Sequence, residues 1–173
     1  LEGQYVVYLL NRRIQKHPEL LTGTVDIYPA VNPLGINTIQ RGIPLFDLDM
    51  NRIFPGDTDG PMAEYYAHAV VEDIRGADIA IDIHASNIYL RELPQVRISE
   101  ETAPALVPLA EQLNVDFVWV HSAATVLEST LAHSLNVIGT HCLVVEMGVG
   151  MRLTKSYGEQ LVDGILNLMH TQG

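Results

Sequence analysis

The 173-residue chain is predicted to fold as an α/β sandwich with a largely parallel sheet. Short apolar, β-branched segments alternate along it with longer segments of helical periodicity. Hydrophobic residues make up 47% of the chain and charged residues 18%, which is the composition of a globular protein rather than a disordered one. At this length we expect a single domain, 1–173, with a hydrophobic core of its own.

The predicted elements follow one another without a repeat or a linker. An amphipathic helix is expected at 4–16, because its apolar side chains share one face and its cations lie near the end, before His17 and Pro18. A long loop, rich in Pro, Gly and Asp, is expected at 32–60, and long loops in compact domains are usually functional. The predicted strands are 24–31, 77–83, 117–120 and 141–145. The other predicted helices are 61–75, 101–113, 127–136 and 157–170.

Charge and cysteine content exclude several classes of protein. Ten Lys and Arg against 21 Asp and Glu give a net charge of −11, whereas nucleic-acid binding requires clustered cations. The single cysteine, Cys142, excludes an intrachain disulfide and fits a reducing compartment. No apolar run reaches the roughly 18–20 residues of a membrane span, and the first residues do not have the pattern of a signal peptide. We expect a cytoplasmic protein with neither nucleic acid nor membrane as a partner.

Two predicted strands end in side chains that can carry chemistry, and ligands of α/β sheets collect at the carboxyl ends of strands. Asp82 precedes His84 by two residues, so both lie on one strand face and Asp82 could orient the imidazole of a metal ligand. Glu146 ends an apolar strand, where a carboxylate is costly unless it is paired or bound to a metal, and a carboxylate there could act as a general base. A hydrogen-bonded structural His84 and a salt-bridged structural Glu146 remain alternatives.

The predicted loop carries two arginines that could bind an anion. Arg52 lies in the segment DMNRIFPG, and a guanidinium is well suited to a bidentate contact with a carboxylate. Arg52 could equally hold the loop in place, and Arg41, in QRGIP, could be a solvated loop residue. The chain contains no G-x-S-x-G elbow and no glycine-rich phosphate loop, which argues against a serine hydrolase and a nucleotide-binding protein.

Taken in order, five segments resemble the succinylglutamate desuccinylase and aspartoacylase family, zinc deacylases related to the zinc carboxypeptidases. The segments are VNPLGIN, DLDMNRIFPG, IDIHASN, PQVRI and VVEMGVG, and together they extend over essentially the whole chain. The resemblance implies a three-layer α/β sandwich of the zinc carboxypeptidase type, with a mixed, mostly parallel sheet and one catalytic zinc ion per chain.

The resemblance also implies roles for individual residues. His84 would be the third zinc ligand, and Glu146 would deprotonate the zinc-bound water and then pass a proton to the leaving amine. Asn51 and Arg52 would recognise a substrate carboxylate. Two further residues complete the expected set: Arg41, which would polarise the scissile carbonyl, and Asp49, which would orient the first zinc histidine.

Two features of the family are not found in this sequence. The first two zinc ligands of the family come from an H-G-x-E motif just before the first helix, and the 173 residues contain no such motif. A catalytic zinc needs three protein ligands, so His84 alone would not suffice. The family's C-terminal β-rich region is also not found. We expect either a truncated sequence or a protein that has lost its metal, and we expect an uncovered sheet edge to favour a homo-oligomer.

The leading hypothesis is a zinc-dependent amidohydrolase that cleaves an N-acyl amino acid or a similar small carboxylated amide. The activity can hold for the whole protein while these 173 residues alone are inert. One alternative is a non-catalytic carboxylate-binding module that keeps Arg41, Asn51 and Arg52 but not the metal. The other is a carboxypeptidase that acts on peptides. The sequence does not determine the acyl group or the amino acid.

Overall fold

The computed structural model describes residues 1–85, 87–122 and 128–173. Within them three helices precede the first strand and helices separate most of the later strands, which confirms the predicted α/β class. The helices are α1 (Glu2–Lys16), α2 (Pro33–Thr38), α3 (Met62–Ile74), α4 (Ala103–Ala110), α5 (Leu131–Val137) and α6 (Lys155–Gln172). The strands are β1 (Ile79–Ala85), β2 (Glu92–Ser99), β3 (Phe117–His121) and β4 (His141–Gly148), and short 3-10 turns cover Pro18–Leu20 and Met50–Arg52.

The four strands form one mixed, mostly parallel sheet in the order β1-β4-β2-β3. Strand β2 runs parallel to β3, with Arg97 opposite Trp119, and antiparallel to β4, with Gln95 opposite Glu146. The mixed, mostly parallel sheet that the resemblance implies is therefore confirmed.

The two faces of β2 and β4 differ in polarity because successive side chains of a strand point to opposite faces. Val96, Ile98, Val145 and Met147 alternate along the two strands and are almost fully buried. The opposite face carries Gln95, Arg97 and Glu146, so the register of β2 against β4 gathers polar side chains on one side of the sheet.

The chain divides into two compact units. Unit one contains Leu1–Pro29, Ile83–His121 and Val144–Gly173, and unit two contains Ala30–Asp82 and Ser122–Leu143. In unit one, α1 packs against α6, and Gly158 allows the ring of Tyr5 to approach the α6 backbone. In unit two, α3 packs against α5, and the Asn136 amide bonds both backbone groups of Cys142 at 3.0–3.1 Å. The single domain expected at 1–173 stays a prediction.

Several element boundaries differ from those predicted. The strand expected at 24–31 is wrong, because the segment pairs with no strand in the described part of the chain and Pro29 removes a backbone donor. The region 32–60 is not entirely loop, since the Asn32 side chain caps α2 by accepting from the Gly35 amide at 3.0 Å. The helix expected at 127–136 begins at Leu131, and residue 127 lies outside the described residues.

Two strands end later than predicted, which changes where the candidate residues lie. Strand β1 extends to Ala85 and β4 to Gly148, so His84 and Glu146 are inside their strands rather than at the ends. Strand β2 was not predicted at all. Of the helices in the described ranges, none combines the length and the apolar character needed to cross a membrane.

Candidate active site

Glu146 lies on the polar face of β4 in unit one. Its side chain is 17% exposed, and its Oε1 lies 3.7 Å from Nη1 of Arg97. The ion pair offsets part of the cost of burying the carboxylate. The remaining exposure leaves it within reach of water, as a general base requires.

Arg97 is a neighbour of Glu146 that the sequence did not identify as a site residue. Its Nη2 donates to Glu92 Oε1 at 2.6 Å, and its guanidinium lies 5.3 Å from the centre of the Trp119 ring. The signal was present in the segment PQVRI, where Gln95 and Arg97 alternate with Val96 and Ile98. Once that segment is taken as a strand, both polar side chains fall on one face.

A buried carboxylate fixes the end of β4. Glu2 is fully buried at the start of α1, and its Oε1 accepts a hydrogen bond from the Thr154 amide at 2.8 Å. Gly148 has a φ of +74°, and a Cβ at that position would overlap the Glu2 carboxylate. Gly148 is therefore required both for its left-handed backbone and for this close approach. The backbone two residues beyond Glu146 is held by these contacts.

His84 lies in β1 and is half-buried, with Asp82 on the same strand face. In the described residues, no group of three or more His, Cys, Asp and Glu side chains lies close enough together to hold a metal ion. A catalytic zinc site needs three protein ligands. The residues described thus do not by themselves fit a zinc site.

Cys142 is a buried thiol rather than a nucleophile. It is 2% exposed in unit two. Burial raises the pKa of the Cys142 thiol well above its usual range, and the charge of Asp82 raises it further. The thiolate is the reactive form of cysteine. The neutral Cys142 is accordingly not suited to covalent catalysis.

In unit two, Asp49 organises the segment that contains Asn51 and Arg52. Asp49 Oδ2 accepts from Nε and Nη2 of Arg41 at 3.0 and 2.9 Å, and Oδ1 accepts from the Asn51 amide at 3.0 Å. The Arg41 side chain is 76% exposed, and an exposed ion pair adds only about 0–1 kcal/mol of stability. The pair orients Arg41 more than it stabilises the fold.

Asn51 and Arg52, which follow Asp49 in the same segment, have different surroundings: Asn51 holds the segment in place, and Arg52 is exposed. Asn51 Oδ1 accepts from the amide of Leu131, the first residue of α5, at 2.8 Å. Arg52 is exposed, and its Nη1 donates to the Asn51 carbonyl at 2.6 Å. The loop is tied to α5 through Asn51, while the Arg52 guanidinium is accessible to a ligand.

Asn51→Ala should lower the free energy of unfolding by about 1 kcal/mol, because it leaves the Leu131 amide without its acceptor. Asn51→Asp keeps an acceptor oxygen and adds a negative charge at the start of a helix, so it should be at least as stable as the wild type. Denaturant unfolding of both variants measures the difference. Equal stability of the Ala and Asp variants would show that the hydrogen bond contributes nothing.

Comparison with known proteins gives the family. The sequence model of the succinylglutamate desuccinylase/aspartoacylase catalytic domain matches residues 1–171, whereas a search of curated proteins found no match. A succinylglutamate desuccinylase/aspartoacylase structure from Rhodobacter sphaeroides is 29% identical with a TM-score of 0.84, covering 99% of this chain and 51% of that one.

Two further structures are similar in fold. The ectoine utilization protein EutE of Ruegeria pomeroyi is 21% identical with a TM-score of 0.85. The match covers 98% of this chain and 52% of that protein. Murine aminoacylase 3 is 16% identical with a TM-score of 0.64, and the match covers 95% of this chain and 58% of that protein. The chain thus spans about half the length of these structures. With its catalytic-domain match and its mixed α/β sheet, the chain belongs to the succinylglutamate desuccinylase/aspartoacylase family.

Proposed function

We propose that the protein is a deacylase that hydrolyses the amide bond of an N-acyl amino acid or a similar small carboxylated amide. The enzymes that give the family its name are deacylases. The observation that carries the proposal for this chain is Glu146, a carboxylate that is largely buried, paired at 3.7 Å with Arg97 and still accessible to water. A carboxylate in such a setting can accept a proton from an attacking water molecule.

The steps that we assign to the chain's own residues use proton transfer and charge recognition. Glu146 accepts a proton from water as the oxygen attacks the acyl carbon, and it then donates that proton to the departing amine nitrogen. The exposed Arg52 binds the carboxylate of the amino acid. The family resemblance assigns Arg41 the role of stabilising the negative charge that develops on the acyl oxygen, and within unit two Asp49 orients its guanidinium.

Zinc is a separate part of the proposal, and no step above depends on it. Family resemblance assigns His84 as one ligand, and the described residues bring no group of three ligating side chains together. Any zinc site that includes His84 would need ligands from outside the residues described. Elemental analysis of the natural full-length protein tests this, with zinc near one per chain expected.

The activity itself is tested by a substrate panel on the natural full-length protein supplied with zinc. The panel contains N-succinyl and N-acetyl amino acids, the methyl esters of the same compounds, and short peptides, and the released amine is quantified. We expect hydrolysis of N-acyl amino acids that have a free carboxylate. Release of the amine from the methyl esters should be at least about tenfold slower, because Arg52 loses the carboxylate that it binds. Cleavage of peptides alone would favour the carboxypeptidase. Binding of N-acyl amino acids without any turnover would favour the carboxylate-binding module.

A further inference from the structure

The Arg97 guanidinium is surrounded by two carboxylates and an aromatic ring, which is more than a single surface ion pair. The guanidinium is 31% exposed and lies between two carboxylates, Glu92 at 16% exposure and Glu146 at 17%. Trp119 lies against its face, with the ring centre 5.3 Å away. All these groups belong to unit one, on β2, β3 and β4.

The two carboxylates do not share the guanidinium equally. Glu92 accepts a hydrogen bond from Nη2 at 2.6 Å, whereas Glu146 Oε1 is 3.7 Å from Nη1, which is beyond hydrogen-bond length. Glu92 therefore anchors the arginine. Glu146 receives an electrostatic attraction from Nη1 rather than a short hydrogen bond from it.

The cluster also holds two buried polar atoms that have no hydrogen-bond partner among the described residues. They are Nε of Arg97 and Oε1 of Gln95, and Gln95 is directly opposite Glu146 in the sheet register. A buried polar atom without a partner costs free energy, and such atoms in a native fold call for an explanation. Their position beside one carboxylate indicates that this face of the sheet is arranged around Glu146 rather than for stability alone.

We propose that Arg97 is a positioning residue for Glu146. Anchored by Glu92 and supported by Trp119, it holds the Glu146 carboxylate in the orientation from which it exchanges a proton with water. This inference rests on the proposed function. Displacement of a general base by even a small distance lowers the rate of proton transfer, because the transfer requires an aligned donor and acceptor.

The test compares kcat and KM of variants in the natural full-length protein on the best N-acyl amino acid of the substrate panel. Arg97→Met keeps the length of the side chain but removes the charge. We expect kcat to fall at least about tenfold while KM stays within about twofold, because substrate contacts are unchanged. Arg97→Lys should recover only part of kcat, since a single ammonium cannot reproduce the fork between two carboxylates.

Arg91→Met is the matched control. Arg91 lies 4.9 Å from the centre of the Tyr157 ring and donates to its hydroxyl at 2.9 Å, so it has an aromatic contact like that of Arg97. It pairs with Tyr157 rather than with Glu92 or Glu146, and its removal should leave kcat at the wild-type value. Circular dichroism of each variant checks folding.

If Arg97→Met does not fold, Glu92→Gln decides, because it removes the anchor and leaves the guanidinium in place. A fall in kcat of at least threefold at constant KM supports the positioning role, and an unchanged kcat overturns it. In Arg97→Met itself, a raised KM with unchanged kcat would also overturn it, since Arg97 would then bind substrate. Failure of the wild type to hydrolyse any member of the panel would instead refute the proposed function.

Discussion

Glu146→Gln should lower kcat for hydrolysis by about 10²–10⁴-fold, the usual contribution of a general base. Glutamine matches glutamate in size and keeps an oxygen that faces Arg97, but its amide does not accept a proton at neutral pH. The sheet around it should be preserved, because the Arg97 guanidinium keeps its hydrogen bond to Glu92 at 2.6 Å. Steady-state kinetics with the best N-acyl amino acid and thermal unfolding measure the two effects separately.

The control for this prediction is Glu111→Gln, at an exposed carboxylate just after α4. It changes the net charge by the same amount and should leave kcat as it is. A Glu146→Gln variant that retained wild-type kcat but unfolded more readily would show that Glu146 is a structural partner of Arg97. The salt-bridged alternative that the sequence left open would then be correct.

Much of the fold could be predicted because local patterns determine it. The sequence pattern placed α1, α3 and α6 within two residues of their observed bounds, and apolar β-branched runs located β1, β3 and β4. Strand β2 was missed because Pro94 and the polar Gln95 and Arg97 interrupt an apolar run. Only pairing with β3 and β4 makes that segment a strand, and pairing is a property of the folded chain.

The candidate site could be predicted only in part. The order of the segments gave the family, and the family gave roles for Glu146 and Arg52 that stay predictions. The partners of these residues depend on register and loop path, so Arg97 beside Glu146 and Asp49 beside Arg41 were beyond reach. The same reason explains why the strand expected at 24–31 was wrong, since its sequence is extended but no neighbour is available to pair with it among the described strands.

The segment DMNRIFPG illustrates how a functional motif can consist largely of structural residues. Asp49 accepts from the Asn51 amide, and Asn51 in turn accepts from the amide of Leu131, the first residue of α5. Gly56 lies against α3 with a φ of +77°. Arg52 and Pro55 are the exposed residues of the segment, and of these two Arg52 carries a charge. The motif is therefore best understood as a support that presents one guanidinium.

Gly56→Ala tests this support and should be among the most destabilising single substitutions in unit two. A Cβ at Gly56 would overlap the carbonyl oxygen of Glu64 and the amide nitrogen of His68, both in the α3 backbone, which cannot move as a flexible side chain can. The left-handed conformation adds its own strain. We expect the free energy of unfolding to fall by about 4 kcal/mol or more, measured by denaturant unfolding.

Gly76→Ala separates the two causes. Gly76 has a φ of +89°, but no atom lies within 4 Å of the position that its Cβ would take. The control thus carries the backbone strain without the overlap, and it should cost about 1–2 kcal/mol. The surplus in Gly56→Ala measures how tightly the loop is held on α3. Equal losses in the two variants would mean that the loop is not held tightly on α3. We expect Gly56→Ala, and not Gly76→Ala, to raise the KM for carboxylated substrates, because the Cβ at Gly56 would displace the segment that presents Arg52.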